Sequence, residues 1–294
     1  MQQFTNLQIA ANSNMKKLPK NTKMVDNGQK VNNGRRDVDE IVFLGTGGAR
    51  YVIAKQLRAT GGMLFRFGGK NVLVDPGPES LYRILTYLPK FNPEKIDMII
   101  LSHKHIDHSG DINVYLDVIT KGGNNKHGIL LAPSDAFGED GVIHKYLLQF
   151  LDETIIIKEN LDFRQGDLQF HFPIRHEHRV ETYGFRFLYR EHTISYIADT
   201  KYFPELIPAY QADIIIMNLI KLGASDIDHL SIDDCAEIIT GIKPKVAIIT
   251  HFGMTMIRTG PWNVARQLKE RTGVVVLAAE DGKHYALDKL LSYG

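Results

Sequence analysis

The chain has 294 residues, 35 Lys and Arg against 34 Asp and Glu, a net charge of +1, and 44% apolar residues. That length allows one large domain or two small ones, and the near-zero charge excludes a protein that coats nucleic acid by bulk electrostatics. The one cysteine excludes an intrachain disulfide, and it excludes within one chain any metal site built from four cysteines or from a cysteine pair and a histidine pair.

In chain order, residues 1–40 come first, with seven Asn, four Gln and a lone aromatic, Phe4. They lack apolar periodicity and read as a poorly ordered tail, and no apolar run follows the basic residues 16–23 to make a signal peptide. The tail has seven basic and four acidic residues, so residues 41–294 keep 28 basic and 30 acidic and a charge of −2. From there short apolar runs alternate with amphipathic stretches. Residues 41–44 read as a buried strand ending at Gly45-Thr-Gly-Gly48, and 63–67 and 71–75 as a hairpin around Gly68-Gly69. Residues 78–88 read as a helix stopped by Pro89, and 97–101 as a strand. Further strands are expected at 129–132, 154–158, 168–174, 181–189, 193–198, 213–217, 245–250, 274–279 and 283–287. Helices are expected at 110–119, 141–151, 231–241 and 261–271, the third opened by a Ser231/Asp234 capping box and the fourth by Pro261. Such alternation predicts a layered α/β fold of two sheets with helices outside. No apolar run reaches the roughly 18–20 residues that span a bilayer, so no membrane partner is expected.

Twelve histidines remain to be placed. The segment Ser102-His-Lys-His-Ile-Asp-His-Ser109 packs His103, His105, Asp107 and His108 onto one loop after an apolar strand. Ligand sites form at strand carboxyl ends, and imidazole with carboxylate suits zinc, iron or manganese. A lone histidine is more often a core or surface residue, but four ligand-type side chains on one short loop have little packing rationale.

His-x-His-x-Asp-His after a strand resembles the signature of the metallo-β-lactamase superfamily. Further pieces stand in that family's order: Gly45–Gly48, Val74-Asp-Pro-Gly77, Tyr196-Ile-Ala-Asp-Thr200 and Ile249-Thr-His-Phe252. The resemblance covers residues 41–294 and implies a four-layer αββα sandwich carrying two divalent metal ions, zinc first, with manganese and iron open. It implies the ligands His103, His105, Asp107, His108, His178, Asp199 and His251. His176 competes with His178, which is preferred because it stands six residues before Gly184. Two cations at one site would bring the pKa of a water toward 7, which makes hydrolysis the default reaction. Asp107 would then orient the nucleophile or take its proton.

Asp228-His-Leu-Ser231, whose His229 stands 22 residues before His251, resembles the histidine motif of the tRNase Z-like branch. There the histidine contacts the scissile phosphate or helps protonate the leaving oxygen. His229 is therefore the second catalytic candidate, and a phosphodiester is expected ahead of a β-lactam or thioester. Two departures weigh against tRNA processing itself. Asn218 stands where those enzymes place a Glu that pairs with the histidine, and no long Gly/Pro-rich arm lies between His108 and His178. The expected substrate is a small or nucleotide-like phosphodiester. An RNA-processing endonuclease and a carboxylic ester, lactone or thioester hydrolase are the alternatives, and a scaffold without turnover ranks below both. Arg50, Arg58, Lys104, Arg179, Lys201 and Arg258 lie near the motifs and could receive phosphate oxygens, although surface charge is the commoner role. Cys235 reads as core, and His127, His144, His171, His192 and His284 as structural or surface. A cytoplasmic location is expected, and a homodimer by analogy alone.

Overall fold

The computed structural model describes residues 38–294 except 224 and 225. The expected tail, up to residue 37, lies outside the described residues. The strands are β1 Glu40–Phe43, β2 Met63–Phe67, β3 Lys70–Val74, β4 Met98–Ile100, β5 Ile129–Pro133, β6 Glu153–Ile157, β7 Leu161–Gln165 and β8 Leu168–Phe172. They continue as β9 Phe185–Tyr189, β10 His192–Ile197, β11 Ile214–Lys221, β12 Leu230–Ser231, β13 Val246–Thr250, β14 Val275–Ala278 and β15 His284–Ala286.

They form two sheets, ordered β15-β1-β2-β3-β4-β5-β6 and β14-β13-β11-β10-β9-β8-β7, with β12 beside β11. Each sheet has an antiparallel part and a parallel part. β3 through β6 run parallel in the first, and β10, β11, β13 and β14 in the second. The two parallel parts release their loops toward the site.

The layering follows from alternation along each strand. In β1, Ile41 and Phe43 face the core between the sheets, while Val42 and the following Leu44 face the outer layer of the first sheet. In β11, Ile214 and Ile216 turn inward and Ile215, Met217 and Leu219 outward. The middle layer is aromatic: Phe67 of one sheet meets Phe187 of the other with centroids 5.0 Å apart, and Phe65 meets Phe187 at 5.9 Å. Helices Ser80–Tyr87 and Ile112–Ile119 cover the first sheet, and Ile232–Ile242 and Pro261–Thr272 the second. This is the αββα sandwich expected. Among the described residues no helix is long and apolar enough to cross a membrane.

Local expectations are met where side chains dictate local geometry. Ser231 and Asp234 make a reciprocal capping box, and Gly68 and Gly69 turn the hairpin with φ of 58° and 75°, a conformation glycine adopts freely. Other elements differ. The stretch expected to be helical at 141–151 is a 3₁₀ turn over Lys145–Phe150, where Leu147 and Leu151 tuck under the first sheet. The helix expected at 110–119 runs over Ile112–Ile119, and a separate turn over Ile106–Ser109, which was not expected, carries Asp107 and His108. The strand expected from 181 starts at Phe185. A side chain at Gly184 would run into the Tyr196 carbonyl, and Tyr183 pairs instead with Arg175 across a loop. Helices Arg50–Lys55, Leu206–Ala209, Met254–Thr259 and Leu287–Leu291 carried no readable period because they are short, and β7 was not among the expected strands.

Candidate metal centre

The loop after β4 brings His103, His105, Asp107 and His108 to one end of the sandwich, where three other strand ends converge. Three groups of ligating atoms each lie within 4.8 Å of one another: His103, His105 and His178; His103, His108 and Asp199; and Asp107, His108 and His251. All seven residues expected as ligands are thus together. His178 Nε2 is 3.1 Å from His105 Nδ1, whereas His176 turns away and pairs with the Tyr210 hydroxyl at 2.7 Å.

A hydrogen-bond frame fixes the orientation of these rings. His178 Nδ1 donates to the Asp228 carbonyl at 3.0 Å, which leaves its Nε2 lone pair pointing inward. Asp75, at the end of β3, accepts from the Ser102 N–H at 2.7 Å and hydroxyl at 2.8 Å, from Tyr196 at 2.8 Å and from His108 Nδ1 at 3.0 Å. His103 Nδ1 meets the same Ser102 hydroxyl at 3.0 Å. One carboxylate therefore sets His108 directly and His103 through Ser102. In the sequence Asp75 stands out only as part of a motif. The signal that could have singled it out is a carboxylate at a strand end beside the histidine loop.

The backbone is bent to suit. Ala49, Asp75 and His251 take φ of 68°, 51° and 63°, unusual values that cluster at functional sites. Gly48 is needed because a Cβ there would lie 2.3 Å from His251 Nδ1. The next residue, Ala49, donates its N–H to Asp107 Oδ2 at 3.0 Å.

Charge is concentrated here. Burial and the neighbouring His108 ring push the His103 pKa well down. Burial alone would lower His108 too, but Asp75, Asp107 and Asp199 outweigh it and push its pKa well up. Burial would raise Asp199, yet His251, His229 and His108 hold it well below the usual carboxylate range. A divalent cation would neutralise such carboxylates and release the His108 proton. The donor set fits one. His103 Nε2 and His251 Nδ1 are buried without a hydrogen-bond partner. Separations of 2.9 Å (His108 to His251), 3.3 Å (His251 to Asp107) and 3.5 Å (His108 to Asp199) bracket the roughly 3.3 Å between two ligands of a tetrahedral zinc.

His229 also reaches the site, its Nδ1 3.5 Å from Asp199 Oδ2. Asn218 does not pair with it. The Asn218 amide donates to Asp199 Oδ1 at 2.9 Å and to the Tyr196 hydroxyl at 3.2 Å, so where a Glu would pair with the histidine this chain has an Asn–Asp contact. Among the candidate cations, Lys201 lies 3.0 Å and Arg179 4.0 Å from Asp228, and Lys104 3.5 Å from Asp135. Arg58 donates to Thr46 at 2.7 Å and lies against Phe252 and Trp262. Arg258 is exposed, and the Arg50 side chain lies outside the described residues. His127, His171, His192 and His284 engage a carbonyl or a carboxylate elsewhere, and His144 stacks on Tyr146. Cys235 is buried in its helix, where burial pushes its thiol up. A hollow of about 530 Å³ lies among Arg66, Lys70, Tyr87 and Lys95 at the hairpin end of β2 and β3, and no ligating group lines it.

This fold and donor set define a metal-site αββα protein. A sequence model of the beta-lactamase superfamily domain matches residues 70–252, and the chain belongs to that superfamily. It is 30% identical over 255 residues to protein MJ1374 of Methanocaldococcus jannaschii, covering 83% of this chain and 93% of that one. Its fold is similar to that of the metallo-β-lactamase fold protein YhfI of Bacillus subtilis, with a TM-score of 0.67 at 21% identity, covering 84% of this chain and 98% of the other. The short form of human tRNase Z shares the fold with a TM-score of 0.63 at 16% identity, over 84% and 99% of the two chains.

Proposed function

We propose that the chain is a dinuclear metal-dependent hydrolase acting on a small or nucleotide-like phosphodiester. The observation that carries this reading is the convergence of seven ligating side chains into adjoining groups linked by His103, His108 and Asp199. His103, His105 and His178 would hold one cation and Asp107, His108 and His251 the other, with Asp199 between. Bound there, divalent cations supply Lewis acidity and an activated water.

The chain's own residues supply the rest. Asp107 stays ionised, because His108 and His251 outweigh the burial that would raise its pKa. Its carboxylate can accept a proton from the attacking water. Burial lowers the His229 pKa to about 4, so the ring is neutral at pH 7 and offers one N–H to an oxygen of the ester. Cys235 is buried on a helix among aliphatic side chains, so it supplies no nucleophile. Lys201 and Arg179, beside His178 and His229, favour an anionic substrate. The mildly acidic domain and the lack of a long arm favour a small one over RNA. In this reading zinc is the first cation to test.

Metal content measured on the purified chain should approach two per chain. Parallel assays on a chromogenic phosphodiester and a thioester should show turnover of the first. Thioester turnover without phosphodiester turnover would overturn the substrate class, and metal-free protein that stays metal-free in excess zinc would overturn the whole reading.

A further inference from the structure

Asn218 is 3% exposed, between the buried Asp199 carboxylate and the buried Tyr196 hydroxyl. An amide nitrogen carries two N–H groups. Here one goes to Asp199 Oδ1 at 2.9 Å and the other to the Tyr196 hydroxyl at 3.2 Å. Tyr196 passes its own proton to Asp75 Oδ2 at 2.8 Å, and Asp75 holds His108 and, through Ser102, His103. The chain of bonds thus runs from the middle of the metal centre to the carboxylate that orients two of its histidines. Tyr196 remains protonated, since burial and the Asp75 and Asp199 carboxylates push its pKa well up.

The two oxygens of Asp199 have different surroundings. Oδ2 is 3.7 Å from His103 Nε2, 3.5 Å from His108 Nε2 and 3.5 Å from His229 Nδ1. Oδ1 carries the Asn218 bond and lies 3.5 Å from His251 Nδ1. An acid at 218 would have no N–H to offer and would stand against Asp199. An aliphatic residue would leave Oδ1 buried without that donor.

We propose that Asn218 is a positioning residue that engages Asp199 Oδ1, on the side that also faces His251 Nδ1, and so turns Oδ2 toward His103 and His108 between the two groups of metal ligands. This rests on the two-metal reading above. It gives the residue at 218 a role in shaping the metal centre instead of moving a proton to His229.

The test uses the full chain loaded with cobalt(II), whose visible absorption reports its coordination. In Asn218→Leu, Oδ1 loses its amide donor and can bind as well, so coordination number should rise and the visible bands should weaken. Cobalt affinity, titrated into metal-free protein, should fall about 10–100-fold, the usual cost of losing a partner behind a ligand. Tyr196→Phe keeps the Asp199 bond and removes the second acceptor, so it should keep the wild-type spectrum with only a few-fold loss of affinity. A wild-type spectrum and affinity in Asn218→Leu would overturn the proposal. If that variant does not fold, a changed cobalt spectrum in Tyr196→Phe would overturn it, because that variant retains the bond said to fix Asp199, and an unchanged spectrum would support it. Failure of the wild-type chain to bind two cobalt ions would instead overturn the two-metal reading.

Discussion

The first sheet delivers its share of the metal centre in one stretch of chain, whereas the second delivers its share piecemeal. His103, His105, Asp107 and His108 fall within six residues after β4, and Asp75 stands at the end of neighbouring β3. From the second sheet, His178, Asp199, Asn218, His229 and His251 come from five separate segments spread over more than 70 residues. The first half can take shape with a few local contacts. The second meets the first where the sheets pack through the Phe65, Phe67 and Phe187 layer. The two halves should therefore fail differently when mutated.

The largest effect is expected in the local half. Asp107→Ala removes the carboxylate assigned to the attacking water, and phosphodiester turnover should fall at least about 10²–10⁴-fold, the usual size of an acid–base contribution. Full turnover with both metals retained would remove Asp107 from that role.

The same contrast explains what the sequence revealed. The histidine loop was legible because its four ligand-type side chains are close in sequence. Asp199 and His251 were legible because each ends an apolar strand in the expected order. His178 over His176 rested on a count to Gly184, and in the structure His176 is held by Tyr210 while His178 Nε2 reaches His105 among the ligating groups. The contact of Asn218 was not legible. Its partner depends on the parallel register of β10 and β11, which sets Met217 opposite Ile197 and so brings Asn218 close to Asp199. No spacing rule carries that pairing. Short elements such as Met254–Thr259 escaped for a simpler reason, since six residues complete too few turns to show a period.

In the dispersed half, His178→Ala should lower zinc content from two toward one per chain, while His176→Ala should keep two. Equal losses in both variants would return His176 to the ligand set. Docking is tested next. Phe187→Ala should cost about 3–5 kcal/mol in urea unfolding and Leu116→Ala, on the outer face of the first sheet, about 2–5 kcal/mol. Only the first lies between the sheets, so it should also weaken zinc binding in the folded protein. Equal zinc affinities in the two variants would show that the second half does not depend on the aromatic layer.

The smallest effect is expected at the opposite end of the second sheet, where Asp213 ties the start of β10 to the start of β13. Its carboxylate accepts the Thr193 N–H at 2.9 Å and lies 3.4 Å from Lys245. Partial burial would raise its pKa, but the Thr193 and Lys245 contacts outweigh that and lower it. A carboxyl held lower in the folded than in the unfolded chain stabilises the fold fully above the unfolded value of about 3.9, and the contribution is lost as pH falls through the folded value. Because the pair is partly exposed to water, Asp213→Asn should cost no more than about 1 kcal/mol at pH 7. Urea unfolding at a series of pH values should show this difference constant above about pH 5 and shrinking below about pH 4, with zinc content unchanged. A difference that persists in acid would place the effect in the shape of the side chain instead of its charge. A loss of zinc would show that this end of the sheet is coupled to the metal centre, against the separation of binding from distant strand ends.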